Sequence, residues 1–341
     1  MKVLLTGHRG YIGSIVAEVL RDAGHDVTGL DTLYYEGCDL GDPPDGNVPT
    51  LQADLRDVRA HQLEGFDAVA HFAALSNDPI GDLNPELTSD INFRATIGLA
   101  QAARDAGVER FIFSSSCSMY GAGHEKPVDE TAPLNPLSAY AESKVRSEEG
   151  LTKLAEDGFC TVALRNATAY GVSPRLRVDL VLNNLVGWAF TTGKVKIMSD
   201  GTPWRPLIHV QDIAHATLAA LTAPVEAVHG QAFNVGRDED NYQVRELGTI
   251  VEEVVGGEVE YAGSGDPDPR SYRVDFSRFA RTFPDAGLSW NARRGAEELR
   301  DAYAGVGLTL EQFESDRYIR LKRLRTLMDT GRLDADLRWR R

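Results

Sequence analysis

Tyr140 and Lys144 stand four residues apart (Tyr140-Ala141-Glu142-Ser143-Lys144) in a stretch whose spacing predicts a helix from Leu137 to Leu154. Both side chains then share one helix face. A free phenol titrates near pH 10, roughly, which is too high for a base at neutral pH. A neighbouring ammonium would stabilise the phenolate and bring that value down. The run Phe111 to Ser116 predicts a strand ending in hydroxyls, and Ser115 or Ser116 could there hydrogen-bond a reacting oxygen. Alone, such a tyrosine–lysine pair is a solvated surface pair. The start of the chain changes that reading.

Thr6-Gly7-His8-Arg9-Gly10-Tyr11-Ile12-Gly13 follows an apolar strand and opens a predicted helix over 11–23. Glycines in that setting let the backbone turn tightly and approach a pyrophosphate, and the free N–H groups of the helix start bind its charge. Gly7, Arg9, Gly10, Tyr11, Ile12 and Gly13 are therefore expected to cradle a dinucleotide. Asp31 closes the second predicted strand, Asp26 to Asp31. Its carboxylate would accept from ribose hydroxyls and repel a 2′-phosphate, so NAD is expected rather than NADP, although Arg9 could tolerate that phosphate. The positive nicotinamide of NAD+ would add to the pull of Lys144 on the Tyr140 phenol, and Lys144 could also hold the nicotinamide ribose.

The elements that must position these groups alternate. Predicted strands at 3–6, 26–31, 68–74, 111–116 and 161–164 are separated by predicted helices at 11–23, 86–106 and 137–154. That order implies right-handed crossovers and a doubly wound parallel α/β sheet buried on both faces. After Tyr170 the pattern loosens, and 211–221 and 232–235 return as a helix and strand of the main sheet. The expected organisation is a dinucleotide-binding domain over 1–171 with 211–235 returning to it, a smaller interleaved substrate-binding region over 172–210 and 236–305, and a helical extension over 306–341.

The chain has 341 residues and a net charge of −15, which argues against nucleic acid or an anionic membrane surface as partner. An anionic substrate would need a local positive site. The three cysteines, Cys38, Cys117 and Cys160, have neither disulfide nor zinc spacing, and no metal is expected. No apolar run reads as a signal peptide or membrane span, so the cytoplasm is the expected location. Residues 311–341 carry nine Lys or Arg against six Asp or Glu. Either they form a solvated helix face, or the basic tail docks on the acidic body or a second subunit. The stripe Leu308, Leu310, Phe313, Ile319, Leu321, Leu324 and Leu327 serves a core or, less simply, a dimer.

Taken together, the motifs resemble the extended short-chain dehydrogenase/reductase family, in its sugar-nucleotide epimerase and dehydratase branch. The resemblance rests on the glycine loop at 6–13, Asp54-Leu55-Arg56-Asp57, His71-Phe72-Ala73-Ala74, Ile91-Asn92, the serine-rich run 114–121, Tyr140 to Lys144, and the segment 201–216. It implies a Rossmann fold, NAD, a nucleotide-diphosphate sugar as substrate and a homodimer. It further implies that Asp54 and Leu55 flank the adenine, and that His71, Phe72, Ala73, Ala74, Asn92 and Ser114 follow the rest of the cofactor. Ser116, Tyr140 and Lys144 become the catalytic set. Ser76, Ser115, Ser116, Cys117, Ser118, Asn166, Thr168, Arg205 and Arg270 become substrate contacts, with the two arginines gripping the diphosphate.

The family oxidises a sugar hydroxyl, usually at C4, and its branches differ in the later steps. Dehydratases place an acidic pair where this chain has Cys117 and Ser118, so dehydration is disfavoured. Cys117 reads more simply as a small packed residue. A small uncharged site beside Ser116 fits a 4-epimerase working through a transient 4-keto sugar, with a 4-ketoreductase using NAD(P)H as alternative. A non-catalytic NAD(P)-sensing regulator is the alternative of a different class, but retention of the tyrosine–lysine pair counts against it. Two departures stand out: Thr168 replaces a usual asparagine, and Pro206 a frequent aspartate. Asn166, Arg175 and Arg177 are the candidates to compensate.

Overall fold

In the computed structural model, the residues described are all except 42–47, 77, 82–83, 123–125, 156–157, 262–270 and 341. Apolar residues at alternate positions build a parallel sheet covered on both faces. Its strands are β1 (Lys2–Thr6), β2 (Asp26–Asp31), β3 (Thr50–Gln52), β4 (Ala68–His71), β5 (Arg110–Ser116) and β6 (Cys160–Asn166). After β7 (Thr168–Tyr170), β8 (Lys194–Ile197) and β9 (Trp204–His209), the chain returns with β10 (Gln231–Val235) to complete seven strands ordered β10-β6-β5-β4-β1-β2-β3.

Period-two alternation decides which face each residue serves. Val3, Leu5 and Ile112 share a buried cluster with Ile15, Val16 and Leu20 of helix α1 (Tyr11–Asp22). Their neighbours Leu4, Phe111 and Phe113 join Leu99 of α2 (Ala95–Asp105) and Leu151 of α3 (Ala139–Leu154) on the opposite face. This is the doubly wound sheet expected from the strand and helix alternation.

Strand order reverses between β4 and β1, and an open sheet forms its crevice at such a point, beyond the strands' carboxyl ends. Two loops border it: residues 7–10 after β1 and residues 72–76 after β4. The register pairs His71, the last residue of β4, with Phe113, so Ser114 to Ser116 project past the end of β4 into the crevice. Ser116 pairs in turn with Asn166 at the end of β6.

A second apolar cluster joins α4 (Val181–Thr192), α6 (Val244–Val255) and α7 (Ala292–Val306), with α5 (Val210–Thr222) packed on α1 instead. Small sheets accompany it: β11 (Asn241–Gln243) with β9 and β7, and β12 (Glu258–Tyr261) with β8. The tail folds back. Leu324 and Leu327 of α8 (Arg320–Asp329) and Leu333 and Leu337 beyond it pack with Tyr34, Leu75 and Ile80. The basic tail thus docks on the body of its own chain.

Two predicted elements differ in detail. The strand expected over 68–74 stops at His71, where the chain leaves the sheet to border the crevice. The helix expected over 86–106 divides into a turn at Pro85–Thr88, a π-helical stretch at Ser89–Arg94 and α2. Among the described residues, no helix is long and apolar enough to cross a membrane, and no cluster of side chains could hold a metal ion.

Candidate active site

The glycine loop is built by close approach. Gly7 turns through φ +74°, and a Cβ there would lie 2.8 Å from the backbone nitrogen of Ala73. A Cβ on Gly13 would sit 2.1 Å from the carbonyl oxygen of Gly7. Helix α1 starts after Gly10 with no side-chain cap and no acidic residue in its first turn. Its leading N–H groups are left for an anion, which fits a dinucleotide pyrophosphate. Thr6 Oγ1 accepts from the N–H groups of Phe72 and Ala73 (3.2 Å each), tying the two loops together.

A cavity of about 670 Å³ opens above this cradle. It is lined by Gly7, Gly10, Tyr11, Ile12, Gly13, Asp31, Asp54, Leu55, Phe72, Ala73, Ala74, Ser114 and Lys144. The same wall includes Ser76, Ser115, Ser116, Ser118, Tyr140, Asn166, Thr168 and Arg205. Asp31 is held by N–H donors from Arg9 (3.1 Å) and Leu33 (2.8 Å). Asp54 caps the turn at Leu55–Asp57 and pairs with Arg56 at 2.7 Å. Burial would raise its pKa, but the Arg56 hydrogen bonds and charge outweigh that and hold it below the usual range.

Ser138 caps α3 and so fixes the start of the helix that carries the tyrosine. The Tyr140 phenol is pushed up to about 12, by burial first and then by Asp78; Ser116 and Arg177 pull the other way. Lys144 donates to the carbonyl of Ser114 at 2.6 Å and lies over the rings of Phe113 (4.6 Å) and Tyr140 (5.7 Å). Burial pushes Lys144 down to about 7 against the pull of Glu148. His71 lies beneath the floor, between the hydroxyls of Thr6 (2.6 Å) and Thr96 (2.8 Å). Burial, with Lys144, pushes it down to about 3, so it is a neutral brace.

Several expected contacts stand elsewhere. Arg9, Asn92 and Cys117 are not among the lining residues. Arg9 contributes its backbone N–H to Asp31. Asn92 exchanges hydrogen bonds with the backbone of Leu75 (2.8 and 3.0 Å), bracing the loop from behind. Cys117 is fully buried, its thiol on the carbonyl of Arg165 at 3.0 Å and raised far above its usual range by burial. Ser115 lines the cavity but donates inward to Glu148 at 2.5 Å. Arg270 lies outside the described residues.

Of the two candidate arginines, Arg175 is fully buried and paired with Asp39 at 3.0 Å, away from the cavity. Arg177 lines the cavity, gripped through two hydrogen bonds by Asp179 (3.0 and 2.7 Å), with a third donor 3.3 Å from Ser76 Oγ. Sequence reasoning missed Tyr34, Tyr35, Asp78, Lys196 and Arg320, all of which line the cavity. The excess of Lys and Arg in the tail was the one available signal for Arg320.

A glycine-cradled crevice at a strand-order reversal, with a tyrosine, serine and lysine above it, defines a dinucleotide-dependent enzyme of the short-chain dehydrogenase/reductase type. The family model of the NAD dependent epimerase/dehydratase family matches residues 3–236, and the chain belongs to that family. It is 33% identical to the UDP-glucose 4-epimerase of Corynebacterium glutamicum over 78% of this chain and 85% of that one. Among solved structures, it resembles MoeE5 in complex with UDP-glucuronic acid and NAD (27% identity, TM-score 0.77, covering 89% and 99% of the two chains). It also resembles the UDP-glucose 4-epimerase of Thermus thermophilus in complex with NAD (26% identity, TM-score 0.72, covering 89% and 99%). NAD is its cofactor.

Proposed function

We propose that this chain is a UDP-hexose 4-epimerase acting through a transient 4-keto sugar. The observation that carries the reading is the setting of Tyr140. It lines the same cavity as Ser116, Lys144 and the glycine cradle, while Cys117, in the place where dehydratases keep an acid, is turned into the core. NAD, held by Gly7, Gly10 and Gly13 with Asp31 on its ribose, would supply reversible hydride acceptance for C4 of the sugar.

In the cofactor-free chain burial holds the Tyr140 phenol up at about 12, and Lys144 is not among the groups that lower it. The base would form only with the positive nicotinamide of NAD+ beside it. As phenolate, Tyr140 takes the proton of the 4-hydroxyl and gives it back to the oxygen once the sugar has turned its other face. Ser116 holds that oxygen in line with the phenol. Lys144, fixed by the Ser114 carbonyl, supplies positive charge beneath the Tyr140 ring. Arg205 and Arg177, both after residue 171, line the cavity. On this reading that region is the substrate-binding part and Arg205 meets the diphosphate. A cytoplasmic homodimer completes the reading and is checked by solution mass.

The test is incubation of the purified protein with UDP-sugars without added cofactor, followed by NMR of the product. C4 inversion with about one NAD retained per chain supports the epimerase. Protein that turns over only 4-keto sugars, and only with added NADH or NADPH, is a 4-ketoreductase and ends this proposal.

A further inference from the structure

Arg320 is the first residue of α8, in the extension beyond the stretch that the family model matches. The tail carries it to the wall of the catalytic cavity, where it is 2% exposed. One guanidinium nitrogen donates to the carbonyl of Arg175 at 2.7 Å, and the group lies 4.1 Å from the centre of the Tyr35 ring. The other terminal nitrogen, Nη1, is buried with no hydrogen-bond partner among the described residues. Arg177 and Arg175 each meet a carboxylate. Arg320 meets none among the described residues, and Asp179, the acidic group that acts on it, is already gripped by Arg177.

A buried guanidinium without a counter-charge is costly, because its desolvation is not offset. The fold nevertheless holds it firmly. Arg323 of the same helix donates to the carbonyls of Tyr34 and Glu36, and Arg317 just before it to that of Asp39. A cation fixed in a ligand cavity, with an unfilled donor, calls for an anion delivered by the ligand.

We propose that Arg320 is an anion-binding residue of the active site, contributed by the C-terminal extension, and that it takes an oxygen of the diphosphate of a bound nucleotide. Two ligands carry that chemistry, the cofactor and the sugar nucleotide. The proposal rests on the cavity holding these ligands but not on which reaction they undergo, so binding tests it independently of turnover.

The full chain is titrated calorimetrically with UDP and uridine as purified, and with ADP-ribose and adenosine after charcoal removal of bound cofactor. Wild type is compared with Arg320→Met and Arg320→Lys. Met is expected to weaken one diphosphate ligand by about tenfold or more, as for loss of a charged hydrogen bond, and to leave its nucleoside unchanged. Lys is expected to recover part of the loss. A loss for UDP alone assigns the sugar nucleotide, and one for ADP-ribose alone the cofactor. Unchanged affinities for both diphosphates overturn the proposal, as does an equal loss for the nucleosides, which marks general damage to the wall. If Arg320→Met does not fold, Arg320→Gln, which keeps a polar side chain and deletes the charge, decides by the same criteria.

Discussion

The indole N–H of Trp339 donates to the backbone carbonyl of Thr32 across 2.6 Å, pinning the end of the chain to the loop that follows β2. Beside it, Tyr34 donates to the carbonyl of Leu337 at 2.5 Å, and Arg338 pairs with Asp57 and, at 3.4 Å, with Asp54. Thr32, Tyr34 and Asp54 all line the cavity, so the tail braces the wall where the adenosine half of the cofactor is expected.

Replacing Trp339 by Ala removes the indole donor and its packing on Tyr34. Large-to-small changes of this kind cost about 3–5 kcal/mol in a full core, and about half that is expected at this half-buried position. Denaturant unfolding reads the stability. The release rate of bound NAD, followed by fluorescence, is expected to rise. Unfolding and release both at wild-type values would mean that the tail lies on the surface without bracing it.

Gly13→Ala tests the cradle. The added methyl would lie 2.1 Å from the Gly7 carbonyl oxygen, a backbone atom held by the turn, so the loop itself has to shift. Cofactor content by mass after denaturation is expected to fall to a small fraction of wild type, while far-UV circular dichroism stays unchanged. Full retention of NAD would place the pyrophosphate elsewhere.

What the sequence made legible is what depends on neighbours along the chain. The glycine loop, Asp31 at a strand end and the four-residue step from Tyr140 to Lys144 each carry their geometry in local spacing, and all reach one cavity. Arg175 and Arg177 show where that stops. They are two apart on one segment, yet one faces Asp39, 136 positions away, and the other the cavity, and nothing in their local spacing tells which. Tyr34 and Tyr35 are illegible, and the place of Arg320 with them, since the wall they share exists only once the tail has docked. The motif places Asn92 on the cofactor, but in the π-helical stretch its amide bonds the Leu75 backbone instead.

Tyr140→Phe keeps the ring and loses the hydroxyl that faces the cavity shared with Ser116. General acid–base groups of this kind contribute about 10²–10⁴-fold, and a fall in kcat of that size is expected with NAD content and melting temperature unchanged. Wild-type turnover in the variant would remove Tyr140 from the mechanism.

Lys144 gives a pH signature. Its pKa is pushed down to about 7 from 10.5 by burial. Between those values the unfolded chain binds a proton that the folded chain does not, so cofactor-free stability is expected to rise with pH across the window and flatten above it. The size is on the order of a few kcal/mol, at about 1.36 kcal/mol for each pH unit of the window. Lys144→Met should remove this rise, as read from urea midpoints at several pH values. A slope equal to that of the wild type would show that the ammonium stays protonated in the fold.

Glu148 sits one helical turn beyond Lys144 and does three things at once. It accepts from Ser115, grips Arg165 through its Nε and Nη2 (3.0 and 2.7 Å), and raises the pKa of Lys144 against burial. Glu148→Gln keeps the shape and deletes the charge. Breaking one side of such a buried pair costs about 3–5 kcal/mol, so the variant should unfold at markedly lower denaturant. With the carboxylate gone, Lys144 loses its proton more easily. The alkaline limb of kcat/KM, where a lysine cation is needed, should therefore move to lower pH. A limb that stays in place while stability falls would confine Glu148 to holding Arg165 and Ser115. A limb that moves would make it a positioning residue for the catalytic lysine.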